Sequence, residues 1–287
     1  MRSTLLKQIG LLAVGLLAIF PATWAADENG ATYGNGKNRF VLATGSPGEL
    51  GLLKLLAEDF SRRADAQMVW IKAGTGASLK LLQERKVDMA MVHAPEQIDK
   101  AVKEGWATDK TLIGSNEFYI VGPKSDPAHI SEASSALDAY RRIAASGANF
   151  VSRGDNSGTH QKEMQIWQKA GVQPSGAWYI VTKDFMTASL KRANAEGAYF
   201  MTDSSTWIME KTVAPELVIL YRGDRALVNT YHALIAPAGT TAGRDTAKSF
   251  VAYVASADGQ KLIAEYGRDK FGEGLYNDMS YARRYDD

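Results

Sequence analysis

The segment Ser152-Arg153-Gly154-Asp155-Asn156-Ser157-Gly158-Thr159-His160 gathers a permanent cation, a carboxylate, hydroxyls and glycines that let backbone amides face a ligand. A guanidinium offers planar, always-charged donors that match a tetrahedral oxyanion, and Ser157, Thr159 and nearby amides can complete its shell. Asp155 has two readings. It either orients Arg153 through an ion pair, or accepts a hydrogen bond from a protonated anion and repels a fully ionised one. Two further turns have a related character. In Ala43-Thr44-Gly45-Ser46-Pro47-Gly48-Glu49, Ser46 and Glu49 have capping-box spacing and Pro47 falls at a first helical position. The spacing predicts a helix start there, with Thr44 and Ser46 as hydroxyl donors or, alternatively, Ser46 used up as a cap. Ala73-Gly74-Thr75-Gly76-Ala77-Ser78 is the third turn, too small to obstruct a ligand and without the lysine offset of a P-loop.

Turns of this kind need strands before them and helices after them. Apolar runs at 39–43, 68–71 and 89–93 each precede an amphipathic segment, at 50–63, 77–86 and 96–104, which is the signature of βαβ units and a parallel sheet. A strand at 118–121 runs into Gly122-Pro123-Lys124-Ser125-Asp126-Pro127, read as a crossing between lobes. A second series follows, with helices at 137–145, 159–169 and 187–194 and strands at 149–151, 178–181 and 198–201. Strands at 217–221 and 231–235 and helices at 245–255 and 257–266 close the chain. The expected fold class is α/β with two lobes, residues 26–122 and 223–287 forming one and residues 123–222 the other. In such folds ligands sit beyond the carboxyl ends of strands.

The 287 residues include no cysteine and four histidines, with 33 basic against 32 acidic side chains. Thiolate chemistry is excluded, a histidine metal site is not expected, and no basic stripe for nucleic acid is evident. Arg2 and Lys7 precede an apolar run at 9–20, followed by Thr23-Trp24-Ala25, which reads as a cleavable signal peptide over residues 1–25. The run is shorter than the roughly 20 residues of a spanning helix. The remainder is about neutral and expected to be exported.

With the three turns in order, the sequence resembles the tungstate-binding periplasmic receptors of ABC transporters, from about Phe40 to the C-terminus. The markers are the GTG turn with Leu79-Lys80, Val92-His93-Ala94-Pro95-Glu96, the Arg153 loop, and Asn194-Ala195-Glu196-Gly197-Ala198-Tyr199. The resemblance implies a type II periplasmic binding protein with a ligand cleft between its lobes, and a dehydrated oxyanion, tungstate or molybdate, as ligand. It also implies an inner-membrane permease as partner, a periplasmic location, a monomer and no cofactor. Carried over, the ligand contacts are Thr44, Ser46, Thr75, Arg153 and Thr159, with Met186 and Thr187 offering amides; Ser78 and Ser157 join them from the turns. The sequence departs from the family at Ala43 and Gly45, where hydroxyl residues are usual, and at Lys183-Asp184-Phe185-Met186-Thr187, where glycines are usual around the methionine.

Two other readings stand beside this one. The Arg153 to Thr159 pattern also resembles phosphate receptors, whose aspartate accepts the proton of hydrogen phosphate, and Asp184 with Phe185 prompts a small organic anion instead. A hydrolase would use Ser46, Ser157 or Thr159 with His160 as base, but there is no GxSxG elbow and no acid spaced to orient the imidazole.

Overall fold

The computed structural model describes residues 30–286; the signal peptide read at 1–25 lies outside the described residues. Ten strands are present among these residues: β1 (Gly30–Tyr33), β2 (Asn38–Thr44), β3 (Ala66–Lys72), β4 (Met89–Val92), β5 (Thr108–Pro123), β6 (Phe150–Ser152), β7 (Tyr179–Val181), β8 (Tyr199–Asp203), β9 (Leu217–Tyr221) and β10 (Val228–Ile235). They are hydrogen-bonded in the order β1-β3-β2-β4-β10-β5-β8-β6-β7, with β9 also on β5. Within each half the pairs β2/β3, β2/β4, β6/β7 and β6/β8 are parallel. The helices that join them lie on the sheet faces, as βαβ connections require.

β5 unites the two halves. It pairs with β10 from Thr108 to Glu117 and with β8 from Phe118 onward. The change of partner therefore falls within a strand, ahead of the crossing expected at 122–127, and Pro123 ends β5 opposite Leu217 of β9. The strand reads poorly before residue 118 because Ser115 and Asn116 are polar, yet both are buried. Their polar groups are satisfied across the junction: Ser115 exchanges backbone hydrogen bonds with Asn277, and Asn116 bonds Asn229, Asp203 and Ser205.

Each half has its own apolar packing. Phe40, Phe60 and Phe250 cluster under β2, with Leu53, Leu56 and Met68, while Tyr140, Phe150 and Trp167 anchor the second half. The expected helices are present as Leu52–Ala64, Thr75–Gln83, Pro95–Lys103, Ala136–Ser146, Gly158–Lys169, Met186–Glu196, Arg244–Val254 and Ala257–Glu265. Ser204–Glu210 is a helix that periodicity did not reveal; Asp203 caps it by accepting from the Thr206 amide at 2.8 Å. No helix among the described residues is long and apolar enough to cross a membrane.

Candidate functional site

The carboxyl ends of β2, β3, β4 and β6 converge, and the turns that follow them enclose a cavity of about 10 Å³. It is a narrow space between the two halves. The turns from the two halves are in direct contact. A Cβ on Gly158 would stand 2.4 Å from Cε1 of His93, and one on Gly76 would stand 2.6 Å from Nδ2 of Asn156. Glycine at these positions is what lets the two backbones close on each other.

One wall comes from the first half. Thr44, at the end of β2, is fully buried, and its hydroxyl donates to the Met91 carbonyl at 2.9 Å, while its own carbonyl accepts from Trp70 Nε1 at 2.9 Å. Its proton is committed to joining β2 and β4. The capping box expected from Ser46 and Glu49 does not form. Gly45 is the N-cap, Ser46–Glu49 is a single turn without a side-chain cap, and left-handed Gly51 (φ 87°) separates it from Leu52–Ala64. Glu49 instead pairs with Lys72 at 2.7 Å, a charged partner that a serine amide cannot match. Ser46 is thus left at the cavity edge with its hydroxyl unused. Thr75 opens the nine-residue helix Thr75–Gln83, is 3% exposed, and its Oγ1 is buried without a hydrogen-bond partner. Ser78 does not line the cavity; it donates to Ala73 O at 3.0 Å and pins the turn.

The other wall comes from the second half. Arg153, 4% exposed, donates from Nε to Asp184 O at 3.2 Å and from Nη2 to Asp155 Oδ2 at 2.5 Å. The second Asp155 oxygen accepts from the Ser157 amide at 3.0 Å. Both carboxylate oxygens thus serve their own loop. Ser157 caps the helix Gly158–Lys169 by accepting from the His160 amide at 3.3 Å, which leaves its hydroxyl proton free to donate into the cavity it lines. Thr159, Met186 and Thr187 are not among the lining residues. Thr159 is buried within the first turn of its helix, and Met186 packs its side chain into the apolar cluster with Leu190. Phe185 lines the cavity in their place, from the N-cap position of Met186–Glu196.

Met91, His93 and Tyr231 also line it. His93 directly follows β4, a position that satisfies the rule that sites lie beyond strand carboxyl ends. The imidazole stacks on Tyr231, with centroids 4.8 Å apart, and its Nδ1 meets Asn229 Oδ1 at 2.8 Å. Asn229 Nδ2 donates to Asn116 Oδ1 at 2.7 Å, and Asn116 Nδ2 donates to Asp203 Oδ1 at 3.2 Å. Because a carboxylate only accepts, the amides align outward from Asp203 and His93 must donate from Nδ1. Burial holds the imidazole neutral, its pKa lowered to about 4.

The charges around the cavity nearly cancel, Arg153 against Asp155 and Lys72 against Glu49. What remains are neutral donors at two helix N-termini, Thr75–Gln83 and Gly158–Lys169, where free amides and helix dipoles favour an anion. No group of three or more His, Asp or Glu suited to a metal ion occurs among the described residues.

Comparison with known proteins agrees with this geometry. Residues 25–258 match the PBP superfamily domain. The chain is 30% identical over 245 residues to the tungstate-binding protein TupA of Peptoclostridium acidaminophilum, covering 84% of this chain and 85% of that one. Among solved structures, it is similar to that of the tungstate ABC transporter from Geobacter sulfurreducens, at 36% identity and TM-score 0.73 over 81% of this chain and 100% of that one. It is also similar to TupA from Desulfovibrio alaskensis, at 34% identity and TM-score 0.70 over 84% and 98%. With its sheet of two halves, its cleft between them and these relatives, the chain belongs to the PBP superfamily and, within it, to the family of these tungstate-binding proteins.

Proposed function

We propose that this protein is the solute receptor of an ABC importer and binds a tetrahedral oxyanion, tungstate or molybdate, in the cavity between its halves. One observation carries the reading. The buried, unpartnered Thr75 Oγ1 shares a small closed cavity with a guanidinium and with Ser157, whose proton is uncommitted. A buried hydroxyl without a partner costs about 1–3 kcal/mol, so an acceptor delivered by a ligand offsets a penalty already present in the fold. Thr75 and Ser46 donate from one side, Arg153 and Ser157 from the other, and the anion stabilises the closed state because it touches both. The closing units divide at Glu117/Phe118 in β5 and in the segment 222–227 that returns to β10. A membrane permease reads the closure, the receptor acts as a monomer, and residues 1–25 direct export to the periplasm.

The two other anion readings and the hydrolase fit less well. Asp155 bonds Arg153 and the Ser157 amide and does not line the cavity, so it is not placed there to accept the proton of hydrogen phosphate. The relatives named above are tungstate-binding proteins, which speaks against the small organic anion. Ser157 Oγ bonds the backbone amide of His160 and not its imidazole, whose Nδ1 accepts from the Asn156 amide at 3.1 Å, so there is no nucleophile–base pair. The relatives are binding proteins of transporters, not enzymes. Calorimetry with tungstate, molybdate, sulfate, phosphate and acetate tests the assignment: tungstate and molybdate bind most tightly, and a preference for phosphate or acetate would contradict it.

A further inference from the structure

The geometry points to Phe185 as the residue that limits the site to a single compact oxyanion, its ring forming the partition between the cavity and a much larger anion-attracting groove outside it. This rests on the reading of the cavity as an oxyanion site. On the outer side of the Arg153 wall lies a groove of about 540 Å³ that carries Lys72, Lys80, Lys86 and Lys183 against Glu84 and Asp155. Only Gly74 and Phe185 line both the groove and the cavity. Gly74 brings backbone alone, so the Phe185 ring is the one side chain that separates the two spaces.

The placement of this ring is not explained by core packing. It is 36% exposed and belongs to none of the four apolar clusters. Cations hold it instead. Lys72 Nζ lies 4.3 Å from the ring centroid and Arg153 Cζ lies 5.6 Å from it. Lys72 ends β3 in the first half and is fixed by its pair with Glu49, whereas Phe185 comes from the second half, so the Lys72–Phe185 contact spans the cleft.

Two consequences follow for the ligand. The ring keeps the water of the groove from the Arg153 side of the cavity, which strengthens the charge-assisted bond to a bound oxyanion. It also blocks any anion whose second charged group would extend toward Lys72 and Lys183. Without the ring the cavity and groove become one space with Arg153 at one end and four lysines against two carboxylates at the other, suited to a molecule with two linked tetrahedral units.

Calorimetry of the full mature chain with sodium tungstate, inorganic phosphate and inorganic pyrophosphate, for wild type, Phe185→Leu and Phe185→Ala, tests this. Wild type binds tungstate and not pyrophosphate. Phe185→Ala binds tungstate tenfold or more weakly and gains pyrophosphate binding, and Phe185→Leu falls between them. Thermal melts equal to wild type show that the variants fold. Unchanged relative affinity for pyrophosphate in Phe185→Ala, with wild-type binding intact, overturns the partition alone, as does pyrophosphate binding by wild type. Should wild type prefer phosphate to tungstate, the ligand assignment fails, and the phosphate to pyrophosphate ratio tests the ring in its place. Absence of binding of all three probes to wild type overturns the site reading and the partition together.

Discussion

On the first wall of the cleft Thr75 Oγ1 is buried without a partner and Ser46 caps nothing, whereas on the second wall Arg153, Asp155 and Ser157 hold one another through bonds of 2.5 and 3.0 Å. The first wall carries donors whose partner is missing from the chain. The second carries a charge fixed in place before any ligand arrives. Such a division separates two requirements of an anion receptor. Preorganised charge supplies strength without a reorganisation cost, and unpaired hydroxyls make the closed state more favourable once an anion joins the two halves. It follows that damage to the second wall impairs both fold and binding, while loss of an unpaired hydroxyl on the first impairs binding alone.

The largest effect is expected at Arg153. Arg153→Ala removes the charged donor and leaves the neighbouring Asp155 carboxylate uncompensated, so tungstate affinity falls by more than a hundredfold, about 3 kcal/mol or more, as read by calorimetry. The melting temperature falls as well, because a partly buried carboxylate loses its partner. Binding within a few fold of wild type would break the comparison at its centre.

Glu163 sharpens it by pH. This buried carboxyl on the helix behind the Arg153 loop accepts from Tyr179 Oη at 2.6 Å and Trp167 Nε1 at 3.2 Å, and burial raises its pKa to about 7. A raised carboxyl contributes stability that is complete below its unfolded value near 4.5 and is lost as pH rises through about 7. His93, lowered to about 4, runs the opposite way: its contribution is complete above 6.5 and is lost as pH falls toward 4. Glu163→Gln removes the first trend and keeps the second. Denaturant titrations should show the variant more stable than wild type at pH 8, by up to about 3 kcal/mol, with the gain vanishing near pH 4.5.

Two hydroxyl variants test the first wall. Thr75→Val keeps the shape and removes the orphan group, so tungstate binding weakens by about 1–2 kcal/mol while thermal stability is unchanged or higher. Thr44→Val does the reverse: it deletes the bond to Met91 and leaves that carbonyl unpaired, which costs about 1 kcal/mol of stability with a smaller effect on affinity. Parallel losses of stability and binding in both variants would erase the distinction between the walls.

Most of the βαβ rhythm was legible because strand runs such as 39–43 and 89–93 are apolar and their helices amphipathic. Residues 108–117 were not, since a strand that pairs buried Ser115 and Asn116 with polar groups from distant segments carries no hydrophobic alternation. At the site, Arg153, Ser157, Thr75 and Ser46 were legible from residue type and turn position. Thr44 lines the cavity but its proton is spent on Met91, and Phe185 lines the wall where Thr159, Met186 and Thr187 do not. His93 could have been found from its place after β4, but its role depends on Asn229 and Asn116, which lie far away in sequence and meet only where β5 and β10 pair.

The central claim is that one anion joins the two walls. The most direct measurement is the tungsten anomalous signal from crystals grown with one equivalent of tungstate. A single peak within hydrogen-bonding reach of Thr75 Oγ1, Arg153 and Ser157 Oγ is the predicted result. A peak in the outer groove by Lys72 and Lys183, with none between the walls, would contradict the account.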